Sequence, residues 1–380
     1  MTLPPRIGAK DKSRSARRRA DPGLVWTLAL LMVSGILTLY AASYYNAQDR
    51  GSSLGEVTSQ LMGMGLGLIG LIVFQHIDYR RLRSSRVVGG AVAVSLILLT
   101  LVAIPGVGAR LNGSRRWLRL GPVSFQPSEL AKYAAVLCMA RGLSDPRRDV
   151  TRLFRGLAPL FVVPGAMFFL ILLQPNLSTA GSILIVSVIM VALAGARGLH
   201  LSLMGLSGAA LGAFYAFSEP YRRERMLSFR NPFAYLSDEG YQLSQSLMAF
   251  GSGGLFGMGL GRGRQKYAFL PYPESDFIFA VVGEDMGFVG CALVLLLFAA
   301  FVFFGLRTAL RCPDRFGSLL AAGITCMIGT QSVLNVAVVT GMMPTTGLPL
   351  PFFSAGGTSV AVMMCAYGVL MGISRQNALP

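Results

Sequence analysis

Carboxylates set inside apolar sequence are costly, so they mark where this chain could do chemistry. Asp276 stands at the entrance to a long apolar run, in Glu274-Ser275-Asp276-Phe277-Ile278-Phe279-Ala280. Glu284 and Asp285 follow about 12 Å further along if the run is helical. A carboxyl group at a dry interface holds its proton more tightly and can act as a general base near neutral pH. The plainer reading of Asp276 is a helix N-cap, a role aspartate fills well, and residue type and place alone do not choose between the two. Glu284 or Asp285 taken singly reads as half of an ion pair between spans. Glu129 and Lys132 lie three apart, on one helix face, and read most simply as an internal pair. His76 and His200 are the only histidines, and the five cysteines form no CxxC pair, so neither a zinc site nor a disulfide framework is expected.

The elements that must position these groups are membrane helices. Of 380 residues, 53% are hydrophobic and 13% charged, against about a quarter charged in soluble domains. Apolar runs fall at about Gly23–Tyr45, Val57–His76, Val87–Ile104, Pro127–Ala140, Leu157–Leu173, Thr179–Ala196, Leu199–Phe217, Phe277–Leu306, Phe316–Thr340 and Thr358–Ile373. The fold class expected is therefore an all-α membrane protein of about ten transmembrane helices. The net charge of +17 sits in short clusters between these runs, which points to membrane orientation and not to nucleic acid. With the basic N-terminal tail inside, Arg80 to Arg86, Arg141 to Arg155, Arg197, Arg307 to Arg315 and Arg375 all fall on the cytoplasmic side, and so do both termini. The organisation is a basic tail over 1–22, a membrane domain over 23–374 and a short tail over 375–380, with an extracytoplasmic loop at about 218–276 between spans seven and eight.

Two outward segments break the charge rule. Arg110, Arg115, Arg116 and Arg119 lie in one, and Arg222, Arg223, Arg225, Arg230, Arg262, Arg264 and Lys266 in the other. Arginines at an outer membrane surface suit phosphate and pyrophosphate, which they grip bidentately; simple headgroup anchoring is the competing use. The glycines from Gly251 to Gly263 lack the strand–helix setting of a nucleotide loop and suit irregular backbone lining a cavity. Gly63, Gly65, Gly67 and Gly70 have helix-packing spacing.

Taken in order, several segments resemble the SEDS family (shape, elongation, division and sporulation) over nearly the whole chain. They are Asn112-Gly113-Ser114-Arg115-Arg116-Trp117-Leu118, Gln126-Pro127-Ser128-Glu129-Leu130-Ala131-Lys132 and Gln174-Pro175-Asn176-Leu177. Tyr241-Gln242 with Gln245-Ser246, Gly259-Leu260-Gly261 with Gln265-Lys266, Asp276 to Ala280 with Glu284, and Pro344 to Ser359 complete the set. The resemblance implies a peptidoglycan glycosyltransferase that polymerises lipid II, with Asp276 as the catalytic carboxylate. It places Arg115, Arg116, Trp117, Glu129, Lys132, Gln265 and Lys266 at the substrate. Gly341 to Gly347 favours a division-type member over an elongation-type one. The family's usual carboxylate in QPDLGT is Asn176 here, Leu-Pro-Glu becomes Leu270-Pro271-Tyr272, and a late SYGG motif reads Ser354-Ala355-Gly356-Gly357.

The expected partners are lipid II, a class B penicillin-binding transpeptidase, other division proteins and the bilayer. No nucleic acid is expected and no cofactor is called for, although a divalent cation could accompany the pyrophosphate. The rival readings are a lipid II flippase and an idle scaffold. Charge concentrated at the outer face argues against the first, and an intact Asp276 argues against the second.

Overall fold

The structure is a computed structural model that describes residues 20–49, 55–111, 114–120, 123–218, 220–236, 240–265 and 269–377. The basic tail up to residue 19 and Lys266 therefore lie outside the described residues. The chain opens with α1 (Pro22–Asp49), α2 (Gly55–His76), a single turn α3 (Tyr79–Leu82) and α4 (Ser85–Ala103). A small antiparallel sheet follows, β1 (Ala109–Leu111), β2 (Ser114–Leu120) and β3 (Val123–Phe125), with β2 central. Next come α5 (Pro127–Leu143), α6 (Val162–Leu172), α7 (Leu177–Leu193), α8 (Gly198–Phe217), α9 (Pro220–Ser228) and α10 (Tyr241–Gly253). The chain closes with α11 (Ile278–Arg311), α12 (Arg315–Val339) and α13 (Gly357–Gln376).

Local chemistry explains the helix starts. Asn176 caps α7 by accepting from Thr179 N at 3.2 Å, Asp314 caps α12 through Gly317 N at 3.0 Å, and Pro127 stands in the first turn of α5. Among the described residues, seven helical stretches are long and apolar enough to cross a membrane, and α7 is a shorter apolar one. Their outer faces carry large apolar side chains in the open, such as Trp26, Leu66, Phe169 and Leu296. Such a surface is stable only against lipid, so the chain is a multi-pass membrane protein.

The core lies where α12 and α13 pack against α2, α5, α7 and α11. The α2–α13 contact is the most extensive between helices. A methyl group on Gly67 would meet the Met364 sulfur at 2.7 Å, and one on Gly63 would run into the Gly357 backbone. Gly63, Gly67 and Gly70 therefore share the packing role expected of them, whereas Gly65 faces open space.

Three features were not foreseen from the sequence, and one of them, a sheet, is not helical. The sheet occupies the first outward segment, where Arg116 and Leu118 alternate with Arg115, Trp117 and Arg119 in strand fashion. The fifth run starts earlier than expected, at Leu153, through a π-helical turn and a 3₁₀ turn that lead into α6. The long outer loop contains α9 and α10, and α10 buries Leu243, Ser246 and Ala249, packing along α11.

Candidate active site

Asp276 precedes the first turn of α11. The residue at the cap position is Phe277, and no side chain caps that helix end. Capping therefore does not account for the aspartate. Its backbone is held instead by Asn335 of α12, whose Nδ2 donates to the Asp276 carbonyl at 2.7 Å and to the Leu348 carbonyl at 2.7 Å. A β-carbon on Gly347 would lie 3.7 Å from Asp276 Oδ2, and Gly347 itself sits at φ 71°. A glycine is what lets this loop turn directly over the carboxylate. Burial raises the proton affinity of Asp276 above the usual carboxylate value. The Arg225 guanidinium pulls it back down, the nearby Glu274 pushes it up again, and Arg116 lowers it further.

Beside this aspartate opens a cavity of about 730 Å³. Arg116 and Arg225 supply its cations, Met343 to Thr346 one edge, Leu177 and Ser178 another, and Tyr215 and Phe217 of α8 an apolar wall. The Arg116 Nε donates to the Gln174 carbonyl at 3.0 Å and its Nη2 donates to the Pro175 carbonyl, while Arg225 Nε donates to Thr345 Oγ1 at 2.6 Å. These bonds orient both guanidinium groups at the cavity. Ser178, where the family has glycine, donates to the Thr346 carbonyl at 2.9 Å and ties the wall to the loop. Asn176 stands where the family has aspartate and does the capping that either residue can do. The departure at Tyr272 brings a left-handed residue, φ 51°, into the turn closed by Ser275 N on the Tyr272 carbonyl at 3.0 Å. At the third departure, Ala355 N donates to the Glu274 carbonyl at 2.8 Å.

Glu129 and Lys132 form a buried pair at 2.9 Å, 2% and 1% exposed. Ser359 of α13 donates to Glu129 Oε2 at 2.6 Å, and Lys132 Nζ donates to Gln331 Oε1 at 2.6 Å. Gln331 Nε2 in turn donates to the Pro349 carbonyl at 2.9 Å. Gln331 and Asn335 are one helical turn apart on α12, so one face of this helix fastens the 348–349 backbone to both the buried ion pair and Asp276. Taking one partner from such a pair leaves a buried charge alone, at a cost of about 3–5 kcal/mol.

The hydrogen bonds of Glu284 and Asp285 reach out of their own helix. They accept backbone N–H groups from the glycine-rich segment between α10 and α11. Asp285 takes Gly261 N and Gly263 N at 3.1 Å each, and Glu284 takes Arg264 N at 2.5 Å and Gln265 N at 3.0 Å. The reason lies at Gly287, whose φ 66° and ψ −162° interrupt α11 in a conformation open essentially to glycine. Below the break, Phe288 N and Val289 N donate to the Gly254 and Leu255 carbonyls at 2.9 and 3.1 Å. The helix acceptors they abandon, the Glu284 and Asp285 carbonyls, take Met258 N and Gly259 N at 2.9 and 3.0 Å. Buried backbone groups must be paired, and this exchange lets irregular backbone lie against a membrane helix.

Of the residues the sequence singled out, Arg116 lines the cavity, and Asp276 lies outside the lining, against Gly347 next to the lining Thr346 and close enough to Arg116 to feel its charge. Arg115 and Trp117 belong to the opposite face of β2, Gln265 belongs to the segment clamped by Glu284, and Glu129 and Lys132 reach the site through Gln331. Asn335 was not singled out, Arg225 was named only among the outward arginines, and Thr345 only within the late motif. Asn335 had a readable signal: an amide one turn from Gln331, inside the apolar run Phe316–Thr340.

The comparisons with known proteins agree with this architecture. The family model FTSW_RODA_SPOVE, described as Cell cycle protein, matches residues 22–379. Stage V sporulation protein E of Bacillus subtilis is 40% identical over 364 residues, 95% of this chain and 99% of that protein. The probable peptidoglycan glycosyltransferase FtsW of Geobacter sulfurreducens is 40% identical over 317 residues, 83% of each chain. Among solved structures, the Rod shape determining protein RodA of Thermus thermophilus superposes with a TM-score of 0.70 at 29% identity, covering 95% of this chain and 98% of that one. A chain from the work described as "Structural coordination of polymerization and crosslinking by a peptidoglycan synthase complex" gives 0.78 at 31% identity, covering 95% and 99%. The chain belongs to the FtsW, RodA and SpoVE family, the SEDS proteins.

Proposed function

We propose that this SEDS-family peptidoglycan glycosyltransferase polymerises lipid II at Asp276, as the division-type member of its family. The observation that carries the reading is one partly exposed aspartate, its proton affinity raised by burial, beside a cavity that pairs two oriented arginines with an apolar wall. The Asp276 carboxylate takes the proton from the acceptor sugar's 4-hydroxyl as that oxygen attacks the donor's anomeric carbon, with inversion. The bond from that carbon to the pyrophosphate oxygen breaks, and undecaprenyl pyrophosphate leaves as an anion beside Arg116 and Arg225. The leaving group needs countercharge and not a proton, so a single carboxylate suffices, unlike the pair in a glycoside hydrolase. The wall formed by α8 suits the polyprenyl chain. Glu129 and Lys132 act from behind the site, and Arg115, Trp117, Gln265 and Lys266 contact the glycan or peptide further out. Adding Mg²⁺ or a chelator to the polymerisation assay tests whether a divalent cation assists.

Counting α5, α7 and α8 with the seven apolar stretches makes ten spans, with both termini cytoplasmic and the sheet, α9, α10 and Asp276 outside. On this topology the membrane domain covers 23–374, flanked by short cytoplasmic tails. The protein works in the cell membrane at the septum with a class B penicillin-binding transpeptidase and other division proteins. The deciding experiment supplies purified protein with lipid II. Asp276→Asn should insert normally and bind substrate yet lose at least about a hundredfold in glycan polymerisation. Near-normal polymer from the folded variant overturns the mechanism. Depletion should give filaments; round cells would assign the chain to elongation.

A further inference from the structure

A second cavity lies at the opposite end of the bundle from Asp276. Helix α4 connects the two ends, from the sheet at Ala103 to the cavity at Ser84, about 28 Å for its length. The cavity encloses about 750 Å³ and is lined by Arg80 and Arg83 before α4, Arg141 in the last turn of α5, and Arg148 beyond it. Asp145 is the single acid on the wall, and its Oδ1 already accepts Arg147 N at 3.0 Å. Among the described residues none of the four arginines pairs with a carboxylate. Arg148 Nη1 donates to the Gly156 carbonyl at 3.1 Å, and the Arg80 guanidinium lies over the Tyr79 ring at 5.4 Å, so two of them are already oriented.

We infer that this cavity binds the phosphate headgroup of an anionic phospholipid, with an acyl chain lying along α4 and α6. Arginines that merely mark a cytoplasmic face point outward from loops. Here four of them, from three separate segments, converge on one concave volume, a geometry suited to bidentate phosphate binding. Beside Ser84 and Cys138, Val88, Leu160 and Val163 give the wall an apolar side. Phe154 and Val162, close in the chain to the wall residues Pro159 and Val163, are exposed on the lipid side. A free phosphate ion would use the arginines and leave this apolar floor unused, whereas a phospholipid uses both. The ordered start of α4, with Ser84 Oγ accepting Val87 N at 3.4 Å, adds the positive end of a helix dipole. Naming the cytoplasmic leaflet rests on the orientation proposed above; the binding itself does not.

The test uses the full chain purified in mild detergent, incubated with phosphatidylglycerol or phosphatidylcholine and weighed by native mass spectrometry. Retention does not depend on orientation, so its failure is separable from failure of the topology. Wild type should retain phosphatidylglycerol over phosphatidylcholine. The double variant Arg80→Gln/Arg141→Gln should lose roughly tenfold or more of that retention. The double variant Arg81→Gln/Arg86→Gln removes equal charge from exposed residues of the same end outside the cavity wall, and should lose less than about twofold by comparison. Lipid II polymerisation by both variants confirms that they are folded. Equal loss in the two variants overturns the site in favour of a diffuse basic face, and loss in neither overturns it outright. Displacement of the lipid by millimolar inorganic phosphate, with phosphate alone bound, would assign the arginines to a soluble anion and overturn the lipid assignment.

Discussion

Asn335→Ala tests whether placement of Asp276 matters as much as its charge. The amide of Asn335 makes two 2.7 Å hydrogen bonds, to the carbonyls of Asp276 and Leu348, from a side chain 1% exposed. Truncation leaves both carbonyls without a partner in a buried place, at about 1–3 kcal/mol each. The lower bound for the two, about 2 kcal/mol, already shifts a two-state placement roughly thirtyfold. Misplacing a reacting group by about 1 Å costs on the order of a hundredfold in rate. The expected result is a kcat for lipid II polymerisation lowered about 10- to 100-fold, with KM changed only a few-fold, because Arg116 and Arg225 still hold the pyrophosphate. Ser332→Ala is the matched control: among the described residues its hydroxyl bonds only to the Ile328 carbonyl of its own helix, so its kcat should stay within about twofold. A folded Asn335→Ala enzyme with kcat within twofold of wild type would refute the positioning argument. So would a loss confined to KM.

Other outcomes follow from the same geometry. With the proton affinity of Asp276 raised, the polymerisation rate should fall on the acid side with an apparent pKa above the usual carboxylate range of about 4. For stability the sign is opposite to that of a salt-bridged carboxylate. The folded state binds the proton more tightly than the unfolded chain, so the cost of ionised Asp276 grows as pH rises through the unfolded and then the folded value. Asp276→Asn should therefore leave the melting temperature at neutral pH unchanged or slightly higher, and a clear drop would mean the carboxylate is structural. Asp285→Asn, neutral if that residue were idle, should loosen the segment held by Gly261 N and Gly263 N by about 1.5–3 kcal/mol. Faster hydrogen exchange over 257–265 would show it. Reporters fused after Arg86, Arg155 and Arg315 should report cytoplasm, and those at Asp49 and Thr345 the exterior; an exterior signal at Arg155 would reverse the proposed orientation.

The sequence by itself determined the membrane class, the positions of the long helices, and Asp276 as the carboxylate to examine. These are legible because lipid leaves few options: an apolar run of that length must be a helix, and an acid at its mouth carries a cost that needs a use. The pairing of Glu129 with Lys132 was legible too, since helical periodicity alone brings residues three apart together. Tertiary structure alone decided which arginines matter. Arg116 and Arg225 are far apart in the chain and meet only because β2 and α9 close on the same cavity, whereas Arg115, one residue from Arg116, is turned away by strand alternation. It likewise decided that Glu284 and Asp285 hold backbone amides of a distant segment. Their partners come from the segment between α10 and α11, and no local rule states that a glycine break in a helix will be filled by a particular distant strand of backbone. Spacing along the chain reports only what one element does with itself; the chemistry of this site depends on where several elements end together.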